Sequence, residues 1–178
     1  MNLKLSLAAA ALILLPVTPS AVALQSDANQ PIEIEADLMT LDEQSGLSVY
    51  RGNVRLAQGS LRITAEELTL RMENGRLQRM EILGTETSPA LFRQLTEAGE
   101  EAQGTARRIE YTALDSRMVL LGQAELLQGN NHIRSDRIDY NTERNSFVAG
   151  RPADSRPANG QVQPEERVRI IITPQQNR

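Results

Sequence analysis

The sequence predicts an all-β protein, a sandwich or jelly roll of antiparallel hairpins, and three observations carry that reading. Apolar and polar residues alternate with a period of two through nearly every segment between Ile32 and Val148, as in Ile32-Glu33-Ile34-Glu35 and Leu61-Arg62-Ile63-Thr64. Clusters of turn residues interrupt the alternation at short intervals. The stretch 34–147 also contains itself twice. Gly52-Asn53-Val54-Arg55-Leu56-Ala57-Gln58-Gly59 returns as Gly122-Gln123-Ala124-Glu125-Leu126-Leu127-Gln128-Gly129, an offset of 70 residues. Period-two alternation gives each strand one apolar face. Repetition on this scale stacks similar units into one continuous, quasi-one-dimensional core.

Residues 1–23 have the features of a cleaved signal peptide: Lys4, an apolar run over 5–15, Pro16 and Pro19, and the small-x-small site Ala21-Val22-Ala23. The run is shorter than the roughly 20 residues a crossing helix needs. No cysteine occurs anywhere, so neither a lipoprotein anchor nor a disulfide framework is expected. The chain is expected to be exported. Beyond residue 23 the chain has 18 Arg, no Lys and 23 Asp plus Glu, a mildly acidic balance that does not suit a nucleic-acid binder.

A single domain is expected over 24–150. Strand segments fall at 32–36, 47–51, 54–58, 61–65, 68–72, 107–111, 124–128 and 138–141, about a dozen short strands in all, with no helix. Residues 91–102 would allow a brief helical turn, although Ala90-Leu91-Phe92 reads better as strand. Gly52, Gly59, Gly122 and Gly129 are expected to end hairpin strands where a positive φ is needed. A small residue precedes each core segment at Ala36, Ala65, Ala106 and Ser135. The expected inward set is Ile32, Ile34, Val49, Val54, Leu56, Leu61, Ile63, Leu68, Leu70, Phe92, Ile109, Tyr111, Leu120, Leu126, Ile133, Ile138 and Tyr140. With five aromatics in the chain, that interior is aliphatic and adaptable.

Four prolines lie beyond Gly150, and 151–166 reads as a flexible linker. The terminal segment 167–178 opens with Arg167-Val168-Arg169-Ile170-Ile171-Ile172-Thr173, the strongest β-forming run in the chain. It must pair either with an edge of its own sheet or with another molecule.

Reaction chemistry is missing from the sequence. His132 is the one histidine and reads as a surface residue, with no second histidine or cysteine to complete a zinc site. No nucleophile elbow or phosphate loop occurs. Glu66 and Asp136 could be paired as glycosidase carboxylates, but equivalent surface turns explain them better. Lacking Trp, the chain is poorly equipped to stack on sugars. An exported, aliphatic-lined β-structure fits an acyl chain instead, whose burial is worth about 0.8 kcal/mol per methylene.

Three segments resemble one family: Gln30-Pro31-Ile32-Glu33-Ile34-Glu35-Ala36-Asp37, Gly52-Asn53-Val54 through Gln58-Gly59, and Leu61-Arg62-Ile63-Thr64-Ala65-Glu66-Glu67-Leu68. They are similar to the OstA-like domain of the lipopolysaccharide-transport proteins, and the likeness runs over 25–173. The resemblance implies an open, twisted antiparallel β-jelly roll built from the repeated hairpins. It implies a carrier that holds the lipid A acyl chains of lipopolysaccharide in a groove. Copies would associate head to tail, with LptC at the inner membrane and LptD-like proteins at the outer membrane, bridging the membranes without spanning them. Family groove positions correspond to Ile32, Ile34, Phe92 and Tyr111. With the alternation, the expected lining is Ile32, Ile34, Leu56, Ile63, Phe92, Tyr111, Leu126 and Ile133. The expected joints are Ile32 and Ile34 at one end and Val168, Ile170 and Ile172 at the other. No enzyme activity, cofactor or metal is expected. The alternatives are a structural β-repeat module that assembles but binds no lipid, and a membrane-anchored LptC-like adaptor.

Overall fold

The computed structural model describes residues 27–96, 99–150 and 168–172. The expected signal peptide and linker lie outside them. Among the described residues twelve strands form: β1 Glu33–Glu35, β2 Leu38–Asp42, β3 Leu47–Gln58, β4 Leu61–Glu73, β5 Arg76–Leu83, β6 Ala90–Leu95, β7 Glu101–Ala106, β8 Arg108–Thr112, β9 Arg117–Gln128, β10 Asn131–Asn141, β11 Ser146–Ala149 and β12 Arg169–Ile172. The only helical pieces described are 3-10 turns at Asp27–Asn29 and Ala113–Asp115. The described residues of 91–102 contain no helix.

Four strands are long, and this corrects the expectation of uniformly short ones. Segments 47–51 and 54–58 are a single strand, and the same fusion produces β4, β9 and β10. Gly52 and Gly122 therefore do not end strands. Gly52 and Asn53 have φ of +78° and +48°, Gly122 and Gln123 +75° and +52°. In each case two residues face one across the ladder, Glu66 in β4 and Asp136 in β10, because pairing skips from Arg51↔Glu67 to Val54↔Ala65 and from Leu121↔Arg137 to Ala124↔Ser135. Such a bulge bends a strand sharply without ending it. Glu66 and Asp136 are accordingly mid-strand bulge partners, not turn residues. Gly59 and Gly129 do sit in two-residue hairpin turns.

Each bent strand serves two sheets. The first sheet runs β2-β3-β4-β5-β8-β9-β10-β11, using the halves 47–51, 67–73, 117–121 and 137–141. The second runs β1-β3-β4-β6-β7-β9-β10-β12, using 54–58, 61–65, 124–128 and 131–135. All pairings are antiparallel. The chain crosses between sheets along one margin, and the hairpin tips form the opposite one. The small residues Ala36, Ala65, Ala106 and Ser135 line the crossing margin. There Asp37 N–H donates to the Gly52 carbonyl (3.0 Å) and Arg107 N–H to that of Gly122 (3.0 Å). A Cβ on Gly52 would crowd the Asp37 side chain, 2.4 Å from Oδ2 and 3.0 Å from Cβ, and the φ of +78° there favours glycine.

The repeat is now visible as six strands twice. β1–β5 map onto β7–β11, and β12 takes the place of β6, because Ile170 opposes Ile133 as Phe92 opposes Ile63. One apolar cluster fills the space between the sheets, from Val54 and Leu56 through Phe92 and Leu120 to Ile138 and Tyr140. Val49 is a correction to the inward set. Its register partners are Thr40 and Thr69, on the face opposite Leu68 and Leu70.

The start of the described chain is strapped to the second sheet. Asp27 accepts hydrogen bonds from Ser60 N–H and Ser60 Oγ–H (both 2.7 Å) and from Gln94 Nε2 (2.7 Å), and Gln58 Nε2 donates to the Gln30 carbonyl (3.1 Å). Partial burial pushes the Asp27 carboxyl up, but the Ser60 hydroxyl and amide, the Gln94 amide and the Arg62 charge outweigh it and hold it below its ordinary value.

Two predictions follow from the fold. A Cβ at Gly104 would lie 2.1 Å from Phe92 Cε1 and 2.8 Å from Leu120 Cδ2. Gly104→Val is expected to lower stability by roughly 1–3 kcal/mol in urea denaturation, and an unchanged midpoint would contradict this packing. For Asp27 a depressed folded-state pKa means stability that is fully present above the unfolded value of 3.8 and lost as pH falls through the lower folded value. Asp27→Asn should therefore be less stable than wild type at pH 7 by about 1 kcal/mol after screening. The gap should close in strongly acidic buffer, as read from thermal melts across pH.

Candidate functional site: the interior between the sheets

The interior is built by the inner faces of all twelve strands. Of the eight residues expected to line a groove, Leu56, Ile63, Phe92, Leu126 and Ile133 are at most 2% exposed and belong to the central cluster. Ile32, Ile34 and Tyr111 are half-buried and pack against it. The fold thus brings all eight onto one continuous apolar surface, although they come from seven separate stretches of chain.

That surface is closed in the middle. Phe92 projects from β6 of the second sheet and stacks on Tyr140 of β10 in the first, with ring centroids 6.3 Å apart and planes 20° from parallel. Gly104, directly across from Phe92 on β7, leaves room for the ring. Tyr140 Oη–H donates to Asn145 Oδ1 (2.8 Å). Burial pushes the phenols of Tyr111 and Tyr140 above the ordinary tyrosine value, so both stay neutral at physiological pH. The inner wall there carries no charge.

The ends differ from the middle. At the β1/β2 end, Ile34 is half-buried and Met39 and Leu41 are about half exposed, although their partners Leu56, Tyr50 and Ser48 put them on the inner face. At the β11/β12 end, Ile170 pairs with the fully buried Ile133 yet is itself 49% exposed. Arg117, Tyr140, Arg144, Phe147 and Val148 line a surface depression on the β9/β10/β11 part of the first sheet. Apolar inner-face residues therefore reach solvent at both extremities. Sequence reasoning missed Leu38, Met39 and Leu41 on β2 and Val148 on β11. β2 is exposed at every position, so its apolar residues mark an edge and not a core. No alternation signal distinguishes the two.

The terminal strand pairs in cis. β12 lies antiparallel on the 131–134 half of β10, and its outer edge is the last in the second sheet. Val168, Ile170 and Ile171 are exposed there. Only the backbone pairing of Ile172, with Asn131, is described.

Inner-face polar groups sit at the hairpin tips of the second sheet, where Gln58, Gln94 and Gln128 make a polar rim to an apolar interior. The arrangement suits an amphiphile with long acyl chains. His132 is half-buried on the outer face, with Nε2 3.1 Å from Glu125 Oε2. Among the described residues no group of three or more His, Asp or Glu side chains is placed to hold a metal ion. None of the described helices is long and apolar enough to cross a membrane.

Comparison with known proteins agrees with this geometry. The family described as LptA/(LptD N-terminal domain) LPS transport protein matches residues 33–146. The chain is 33% identical over 156 residues to the lipopolysaccharide export system protein LptH of Pseudomonas aeruginosa, covering 86% of this chain and 85% of that one. It is 33% identical over 139 residues to the lipopolysaccharide export system protein LptA of Escherichia coli K12, covering 78% and 74%. The crystal structure of LptH, described as the LptA-homologous periplasmic component of the lipopolysaccharide transport device of P. aeruginosa, superimposes with a TM-score of 0.71 at 31% identity, over 84% of this chain and 99% of that one. The chain belongs to the LptA/(LptD N-terminal domain) family of lipopolysaccharide transport proteins.

Proposed function

We propose that this chain is a periplasmic carrier of lipopolysaccharide that holds the lipid A acyl chains between its two sheets and joins copies of itself head to tail, with LptC- and LptD-like proteins at the inner- and outer-membrane ends. Residues 1–23 act as its export signal, 24–150 as the carrier domain, 151–166 as a linker and 167–178 as the joint strand and tail. Ile32, Ile34, Leu56, Ile63, Phe92, Tyr111, Leu126 and Ile133 line the path, and Ile32 and Ile34 meet Val168, Ile170 and Ile172 of the neighbouring copy.

One observation carries the reading: the junction between the two repeats is a template for a junction between two molecules. Inside the chain the repeats meet where β5 pairs β8 and β6 pairs β7. Because β11 and β12 are the counterparts of β5 and β6, and β2 and β1 those of β8 and β7, a second copy can dock by the same pairing. Transferring the registers sets Ile170 opposite Ile34, Phe147 opposite Leu41 and Ala149 opposite Met39 of the next copy. All six are inner-face residues, so the apolar wall would continue from one molecule to the next without a polar break. The joint would cover apolar side chains left exposed at both ends, and unpaired strand edges are suited to such addition.

The Phe92–Tyr140 contact favours a second reading, an assembling rod that binds no lipid. On the carrier reading the rings part as an acyl chain passes. Each methylene then exchanges water for apolar wall at about 0.8 kcal/mol, enough over ten methylenes to displace a ring contact worth roughly 1 kcal/mol.

Ile34→Asp sets a charge at the half-buried entrance and is expected to abolish binding of lipopolysaccharide in native mass spectrometry while the β-type circular dichroism persists. Retained binding would count against the carrier. Phe92→Asp is not an equivalent probe, since a charge at a fully buried site costs several kcal/mol and unfolds the domain. Protein purified from cells with no co-purifying lipid would support the rod.

A further inference from the structure

The outer face of the second sheet carries a charge pattern that is incomplete within one molecule. Reading across its strands, the row in register is Glu35, Arg55, Thr64, Leu91, Thr105, Glu125, Arg134, Arg169. It opens on an acid and closes on two bases. Arg134 is held by Glu125, Nε to Oε1 at 2.9 Å. Arg169 lies directly across the ladder from Arg134, so two like charges face each other on adjacent strands. Glu125 already neutralises Arg134, so Arg169 is the base that has no acid across the ladder among the described residues. At the opposite end Glu35 is exposed on an edge strand, next to the equally exposed Glu33.

From this row we infer that Arg169 and Glu35 are the polarity determinants of self-association, pairing across the joint between one copy and the next. The inference rests on the head-to-tail reading and adds what selects its direction and register. In the internal template Leu91 of β6 opposes Thr105 of β7. Their counterparts are Arg169, which opposes Arg134 as Leu91 opposes Thr64, and Glu35, which opposes Leu56's neighbour Arg55 as Thr105 opposes Glu125. The transferred register therefore places Arg169 opposite Glu35 of the neighbour, where the internal junction uses an uncharged pair. Head-to-head docking would set Glu33 and Glu35 against the same two acids. Tail-to-tail docking would pair β12 with a second β12, whose described residues include no acid to meet Arg169. A shift by one residue would turn the apolar inner face outward. Only the head-to-tail, in-register joint satisfies both the charges and the apolar face.

Charge exchange tests this. The full chain is prepared as wild type, Glu35→Arg, Arg169→Glu and the double variant, and self-association is followed by sedimentation velocity in low and high salt. Each single variant is expected to raise the dissociation constant roughly three- to tenfold at low salt and to converge on wild type as salt screens the pair. The double variant is expected to associate with itself as wild type does but not with wild type. Arg169→Glu also carries an internal control. It sets an acid across the ladder from Arg134 in place of a base, so the thermal midpoint of the monomer should hold or rise while association weakens, which a loss of structure would not produce. Glu35→Gln, expected to have an intermediate effect, covers the case in which Glu35→Arg fails to fold. Single variants that associate like wild type at every salt concentration would overturn the charge register and leave head-to-tail assembly standing. A wild-type chain that stays monomeric throughout would overturn both.

Discussion

The architecture depends on one backbone constraint, a pair of consecutive left-handed residues in the middle of β3 and again in β9. Each pair faces a single residue of the neighbouring strand, so β3 with β4, and β9 with β10, bend together and pass from one sheet into the other. Without those bends the hairpins would extend as one long flat ladder with an unsealed apolar face. With them, each long strand contributes half of its residues to either wall. The same alternation then buries Leu56 and Ile63 in one sheet and Leu68 and Leu70 in the other.

A fold made this way has no natural end. The two six-strand repeats meet through β5·β8 and β6·β7, and nothing in the pairing rule stops a third repeat from being added. The ends remain as edges that carry apolar residues, Leu38, Met39 and Leu41 at one and Val148, Ile170 and Ile171 at the other. Exposed edges of this kind are an aggregation hazard in most β-proteins. On the proposed head-to-tail assembly, opposite charges at the two ends would favour one direction of growth, a form of selection against the wrong pairing.

The interior combines apolar continuity with a closed middle. A jelly roll left fully open in water would expose its lining, and the Phe92–Tyr140 stack together with the space left at Gly104 removes that cost in the free protein. Among the described residues the closure rests on aliphatic contacts and neutral phenols, with no ion pair across the interior, so on the carrier reading it would be adaptable. On the proposed reading this suits a carrier, which would hold a fatty chain and then release it.

Sequence alone determined the fold class, the two-fold repetition and most of the inward residues, since period-two burial is written directly into residue order. It also contained a clue to the bends. The apolar alternation slips by one between Ala65 and Leu68 and again between Ser135 and Ile138, where Glu66 and Asp136 face the bulges. Read as a boundary between short strands, that slip hides the fact that one strand continues, because turn and bulge alike open on a glycine at positive φ, Gly59 and Gly129 in the turns and Gly52 and Gly122 in the bulges. Val49 lies on the outer face, where a lone valine looks in one dimension like a core residue. Which edges stay unpaired, that β12 substitutes for β6, and that Phe92 closes onto Tyr140 were decided only by tertiary structure. Each depends on contacts between residues dozens of positions apart, and local pattern carries no information about which strand lies beside which.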